Sequence, residues 1–299
     1  MFKIQKWLKK NCKILCIISE CETTKLNICL SKGGSLEQLI VNGEEIITNL
    51  ANLPYNQTYA SSILFPFANR IKDGKYNFNG KSYSLDVNET KANNALHGLV
   101  YNKTFNVIEK NCNSQSASLR LSYTEKKPHP GFPFFFRIDL IYKLTLNTLD
   151  LEVEITNTGT NSFPFTLGWH PYFKIFNKAQ SKLQFKSYKK LDSDDRCITT
   201  SIKESKTPNP LYLDNINLDD AFILEDKNVA FETHRYKANL TVLNASKYLQ
   251  LYTPNDCDAI AIEPMTGVSD SFNNGIGLKK LSPSKKFNMK WSLKVLSNY

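Results

Sequence analysis

The sequence predicts an all-β protein of antiparallel strands joined by tight turns, folded as one domain over residues 1–299. Three observations carry this. Short runs rich in β-branched and aromatic residues recur along the chain, separated by turn residues. Asn42-Gly43 and Asn79-Gly80 supply the dipeptide that best signals a two-residue hairpin. No stretch has the apolar period of a long amphipathic helix, and no fixed-period repeat, low-complexity tract or linker divides the chain.

Taken in order, Ile14–Ile18, Lys25–Leu30, Leu39–Val41 and Glu45–Ile47 read as strands, with Gly33-Gly34 and Asn42-Gly43 turning between them. Asn49 to Pro66 has no clean period and carries Pro54 and Pro66, so it reads as a long loop of the kind that carries function on a β scaffold. Tyr76–Phe78 and Asn79-Gly80 form a further hairpin. Ser118–Tyr123, Phe134–Leu146 and Leu149–Thr156 follow as strands, with Arg137, Asp139, Lys143 and Thr145 marking the solvated face of the middle one. Pro128 to Pro133 is a rigid connection, and His129 within it has no assigned role. Strands resume at Lys182–Tyr188, Val229–Glu232, Asn239–Asn244, Lys247–Tyr252, Asp258–Glu263 and Phe287–Leu296.

Composition narrows the function. The chain has 299 residues, 41% hydrophobic and 22% charged, which is the balance of a protein with a large buried core. Its net charge of +10 raises nucleic acid or an anionic surface as a partner. The 33 lysines left after Arg70, Arg120, Arg137, Arg196 and Arg235 are scattered, and form no basic stripe with interleaved aromatics, so no nucleic-acid partner is expected. Seven cysteines, Cys12, Cys16, Cys21, Cys29, Cys112, Cys197 and Cys257, make an odd set without a C-x-x-C pair. They read as free thiols in a reducing cytoplasm, and neither a disulfide framework nor a zinc site is expected. The apolar run Ile14–Ile18 behind the N-terminal lysines is too short for a secretory leader or a bilayer span, so no membrane partner is expected.

The stretch Phe163-Pro164-Phe165-Thr166-Leu167-Gly168-Trp169-His170-Pro171-Tyr172-Phe173 sets one histidine among aromatics and two prolines. Trp169, Tyr172 and Phe173 offer flat faces to the C–H side of a pyranose, and the prolines stiffen the backbone around His170. With an ordinary pKa of about 6.5, His170 suits a general acid; the competing reading is a satisfied core histidine. Arg70 has a guanidinium fork that fits vicinal hydroxyls, or equally an ion pair with Asp73 or another acid. His97 precedes Gly98 in a segment with a polar upstream side. Asp219 and Asp220 lie in a loop, where turn chemistry also accounts for them. Glu263 ends the apolar strand Ala259-Ile260-Ala261-Ile262 and is followed by Pro264. A carboxylate there needs a partner or a task, which makes it the candidate base.

With these motifs in order, the chain resembles the aldose 1-epimerase (galactose mutarotase) family over nearly its whole length. The resemblance rests on Asn69-Arg70-Ile71, Leu96-His97-Gly98, Gly168-Trp169-His170-Pro171-Tyr172-Phe173, Leu218-Asp219-Asp220-Ala221-Phe222 and Glu263-Pro264-Met265-Thr266, closing with Phe272 to Leu278 and Leu281-Ser282-Pro283. It implies a large antiparallel β-sandwich of the galactose mutarotase-like supersandwich type, with the site on a concave sheet and neither metal nor organic cofactor. It implies Glu263 as general base and His170 as general acid. Arg70, His97 and Asp219 would hold the sugar hydroxyls, joined by Asn69, Trp169 and Tyr172. Asp219 is preferred to Asp220 because it precedes the aromatic Phe222 by three positions.

The expected reaction interconverts the α and β anomers of a free hexose by ring opening and reclosure, needing one base and one acid. The expected partner is a small-molecule sugar, and the expected assembly a monomer or homodimer. Within the same chemistry the alternative is a hexose-phosphate 1-epimerase, which should cluster arginines around a dianion. From another class, the alternative is a non-catalytic carbohydrate-binding protein. A glycosidase using Glu263 and Asp219 lacks an identifiable carboxylic acid partner. No P-loop, zincin helix or nucleophile elbow is present.

Overall fold

Two antiparallel sheets share two long strands, Lys182–Ser193 and Asp219–Glu232, which pair with each other from Lys182–Glu232 to Leu191–Ala221. The computed structural model describes every residue except 10, 11, 245, 246, 256, 298 and 299. One sheet runs Asn106–Cys112, Ala117–Thr124, Phe136–Leu144, Thr148–Asn157, Lys286–Ser297 and Tyr236–Leu243, ending on the second half of Asp219–Glu232. The other runs Phe2–Lys9, Cys12–Ser19, Lys25–Cys29, Ser35–Val41, Glu44–Thr48, Tyr172–Lys174, Ala259–Met265 and Tyr248–Tyr252, ending on the first half of that same strand. Strand makes up 56% of the chain and helix 4%, so functional side chains must come from strands and the loops between them. The fold is the all-β, single-domain sandwich that the sequence leads one to expect.

The period of two explains why these strands form and which way each face turns. In the second sheet Leu26, Leu39, Ile47, Phe173 and Ile260 stand opposite one another in a single row and are all buried in the core. Each such side chain contributes about 1.5–3 kcal/mol when taken from water. The row one residue over, Asn27, Gln38, Thr48, Tyr172, Ala261, Tyr252 and Asp219, lies on the face turned away from that core. This outer face carries the candidate site. The turns follow their sequence: Asn42 and Gly43 have φ of 53° and 81°, Asn79 and Gly80 of 50° and 75°, the left-handed pairs that a type I′ hairpin demands.

Several expectations are corrected. Residues 2–9, weighed in the sequence only as a leader, form a strand paired with Cys12–Ser19, so the basic N-terminus is a sheet edge. The expected loop from Asn49 to Pro66 contains a helical turn, Tyr55–Thr58, and the short strand Ile63–Leu64. Asp219 and Asp220 open a 14-residue strand where a loop was expected, because Leu218 and Phe222 bury themselves on one side. The seven cysteines are not all free: Cys12 and Cys29 form a disulfide with Cα atoms 6.1 Å apart. The register that sets Ile14 opposite Cys29 brings Cys12 diagonally across from it, a proximity that spacing in sequence does not reveal. This removes unpaired thiols as an argument for a reducing compartment. Those two sulfurs and Glu37 are the one group of three or more potential donor side chains in mutual reach among the described residues, and the disulfide leaves its sulfurs no thiolate to bind a metal. No helix among the described residues is long and apolar enough to cross a membrane.

Candidate active site

Glu263 and His170 meet at the centre of the outer face. Glu263 sits in the seven-residue strand Ala259–Met265, every residue of which is buried, between Tyr172–Lys174 on one side and Tyr248–Tyr252 on the other. His170 occupies the break between the strands Gly168–Trp169 and Tyr172–Lys174, where Pro171 interrupts regular pairing. Its backbone is held by the Asn49–Pro66 segment: the Ser61 N–H donates to its carbonyl at 2.7 Å, and its own N–H donates to Ser62 O at 3.1 Å. The two side chains approach to 3.4 Å, His170 Nε2 to Glu263 Oε1. Glu263 Oε2 and His170 Nδ1 are buried without a hydrogen-bond partner among the described residues. Leaving two such groups unsatisfied costs about 1–3 kcal/mol each, a cost a polar ligand can relieve.

Burial controls their protonation. It raises the Glu263 carboxyl well above the usual carboxylate range, helped by the charge of Asp219 and opposed by Arg70. It lowers the His170 imidazole to about 3. The ring of His170 stacks on Tyr172 at 5.0 Å and meets His97 edge-on at 5.1 Å. His97 lies buried against Tyr59, and burial, with the neighbouring His170 and Arg70, keeps it well below the usual imidazole value. His97 and Gly98 are both left-handed, φ 62° and 79°, and a Cβ on Gly98 would stand 2.3 Å from Phe65 O. Only glycine fits there, and that tight approach aims His97 into the site.

The pH consequence follows from the sign of these shifts. An imidazole whose folded pKa is lowered stabilises fully above its unfolded value of about 6.5 and loses that stabilisation as pH falls toward its folded value. Relative to His170→Asn, the parent should therefore lose roughly 1 kcal/mol per pH unit between about 6.5 and 3. Urea unfolding of both proteins across that window checks this; a constant gap between them would contradict a neutral buried imidazole.

A polar wall joins this pair to solvent. Arg70 gives Nε and Nη2 to Glu89, at 2.9 and 2.8 Å, and Nη1 to Asn69 Oδ1 at 3.1 Å. The sequence offered either a sugar ligand or an ion pair for Arg70, with Asp73 as one partner. Its acid is Glu89, whereas Asp73 pairs with Arg196. Asn69, left-handed at φ 60°, also reaches Gln250 Oε1 at 3.5 Å, and Gln250 Nε2 donates to Asp219 Oδ1 at 2.8 Å. Asp219 stands at the open rim beside Tyr252; burial of its carboxyl raises its pKa against the pull of Arg70. Asp220, the next residue, turns to Lys190. The fold thus brings together Glu263, His170, His97, Arg70, Asn69, Asp219 and Tyr172.

Trp169 is the exception among the expected sugar-binding residues. It is 1% exposed and packs on Trp291 at 5.9 Å inside the core. Neighbours on a strand face opposite ways, so the backbone that turns His170 outward turns Trp169 inward. Phe173, the third expected aromatic face, lies in the core against Phe231. Trp169→Ala should lower unfolding free energy by about 3–5 kcal/mol in urea titrations, and Trp169→Phe should leave KM for sugar unaltered. A raised KM in the phenylalanine variant would return the indole to the site.

Sequence reasoning missed Glu89, Gln250 and Tyr59. Gln250 left a signal, an amide in the middle of the apolar strand Tyr248-Leu249-Gln250-Leu251-Tyr252. Glu89 and Tyr59 sit in irregular segments with nothing local to mark them.

A two-sheet antiparallel fold thus carries a buried carboxyl–imidazole pair on its outer face, flanked by the polar side chains of Arg70, Asn69, Gln250 and Asp219. The chain belongs to the aldose 1-epimerase family, whose model matches residues 26–294. It is 24% identical over 275 residues to the uncharacterized protein YihR of Escherichia coli K12, covering 85% of this chain and 84% of that one. In structure it is similar to a galactose mutarotase-like protein from Clostridium acetobutylicum, with a TM-score of 0.88, 20% identity and 99% of each chain covered. It is also similar to galactose 1-epimerase from Lactobacillus acidophilus, with a TM-score of 0.80, 18% identity and coverage of 100% and 99%.

Proposed function

We propose that the protein is an aldose 1-epimerase acting on a free hexose, with Glu263 as base and His170 as acid. The observation that carries this is the buried Glu263–His170 pair, 3.4 Å apart, each with one unpartnered polar atom. Ring opening removes the proton from the anomeric hydroxyl and places one on the ring oxygen, so that the C1–O5 bond breaks and C1 becomes an aldehyde. Carboxylate Glu263 and imidazolium His170 begin the step; protonated Glu263 and neutral His170 end it. The pair holds one proton throughout. Burial favours the second of these states, the one that accompanies the open chain. Rotation about C1–C2 and return of both protons closes the ring with either configuration.

Three features support a neutral sugar over a hexose phosphate. Arg70 is the arginine of the site, and its charge is already paired with Glu89, with a further N–H given to Asn69. Asp219 adds a negative charge at the rim. The small cavity beside Arg70, about 30 Å³, is lined by a further acid, Asp192, and has room for roughly one water-sized group. Two-dimensional NMR exchange between anomers, run on glucose and on glucose 6-phosphate, tests the substrate class. Enzyme-dependent exchange with the free sugar alone is the expected result; exchange with the phosphate alone would assign the alternative.

A further inference from the structure

A second cavity opens on the same outer face, toward the N-terminal hairpin, and its chemistry is not used by the reaction above. Its volume of about 470 Å³ falls among small-molecule sites, about 300–1,000 Å³. The register locates it. Asn27 and Gln38 continue the row that passes through Thr48 to Tyr172, so they share the face of the Glu263 site. Two strand spacings of about 4.8 Å set Gln38 roughly 10 Å from Tyr172 across the sheet. Tyr172 and Leu50, packed with Ala60, Ala259 and Ala261, stand between the two sites.

The floor is a chain of planar groups. Asn27 Nδ2 donates to Gln38 Oε1 at 3.2 Å, and Gln38 Nε2 donates to Glu45 Oε1 at 2.7 Å. Asn27 Oδ1 is buried without a hydrogen-bond partner among the described residues. Glu37, fixed by Lys32 and Asn49, forms one wall. Trp7 forms part of the rim, 39% exposed, on the hairpin that precedes the family-matched residues 26–294. An accessible indole takes the C–H face of a pyranose, while the amides both donate to and accept from its hydroxyls and the carboxylates accept from them. Three carboxylates, Glu37, Glu45 and Asp258, line the cavity against one lysine, Lys174, which disfavours an anionic ligand.

We propose that this cavity is a second carbohydrate site, which holds one neutral saccharide unit against Trp7 over the Asn27–Gln38–Glu45 chain. It is distinct from the catalytic pair and does not require turnover there.

The tryptophans make it testable. Trp169 and Trp291 are 1% and 0% exposed, so the indole that acrylamide can reach is that of Trp7. Acrylamide quenching is measured while the parent is titrated with galactose, glucose, lactose and glucose 6-phosphate. The neutral sugars should protect the indole at least twofold, and glucose 6-phosphate should not. Protection should be lost in Gln38→Ala and in Asn27→Ala, whose folding is followed by circular dichroism, and should persist in Glu263→Gln. Trp7→Phe should retain the parent's rate of mutarotation. Quenching unaffected by every sugar, or protection abolished by Glu263→Gln, would overturn the second site. Protection in a parent that accelerates no mutarotation would uphold it and overturn the catalytic reading instead.

Discussion

Glu263→Gln should lower the rate of anomer interconversion by about two to four orders of magnitude, the usual contribution of a positioned proton acceptor. The substitution keeps the shape of the side chain and removes only its ability to take a proton. It also removes a carboxyl whose burial already disfavours its charge, so the variant should fold at least as stably as the parent. This combination separates catalysis from structure. A variant with the parent's rate would assign the base elsewhere, and Asp219, the next carboxyl along the wall, would be the group to replace.

His170→Asn should lower turnover by a comparable factor, about 10²–10⁴, with kcat carrying most of the loss and KM little changed. The two effects should not add. Each member of the pair works only through the proton held by the other, so the double variant should be scarcely slower than either single one. Stopped-flow polarimetry on all three variants measures this directly. Losses that multiply would mean that Glu263 and His170 act in separate steps.

Much of this site is legible in the sequence because its residues break the local rule of their own segment. Glu263 is the one charged residue of an otherwise apolar strand, and His170 lies between a core aromatic and a proline. His97 precedes a glycine for which the fold has no substitute. Such conflicts between local pattern and residue type mark functional positions. What the sequence hides is register. The face of Trp169 depends on where a two-residue strand begins, and its aromatic neighbours give no period from which to read it. The Cys12–Cys29 bridge and the pairing of Arg70 with Glu89 depend on which strands and loops lie side by side. The same holds for the row from Asn27 to Tyr172: each residue looks like an ordinary polar position on its own strand, and only the paired sheet lines them up.

The proposed activity is the opening and reclosure of free aldoses with Glu263 as base. It is tested most directly by polarimetry on freshly dissolved α-D-glucose and α-D-galactose, with the parent and Glu263→Gln measured side by side. The parent should hasten the approach to the equilibrium rotation for at least one of these sugars, and the variant should leave it at the buffer rate. Equal acceleration by both proteins, or none by the parent with either sugar, would contradict it.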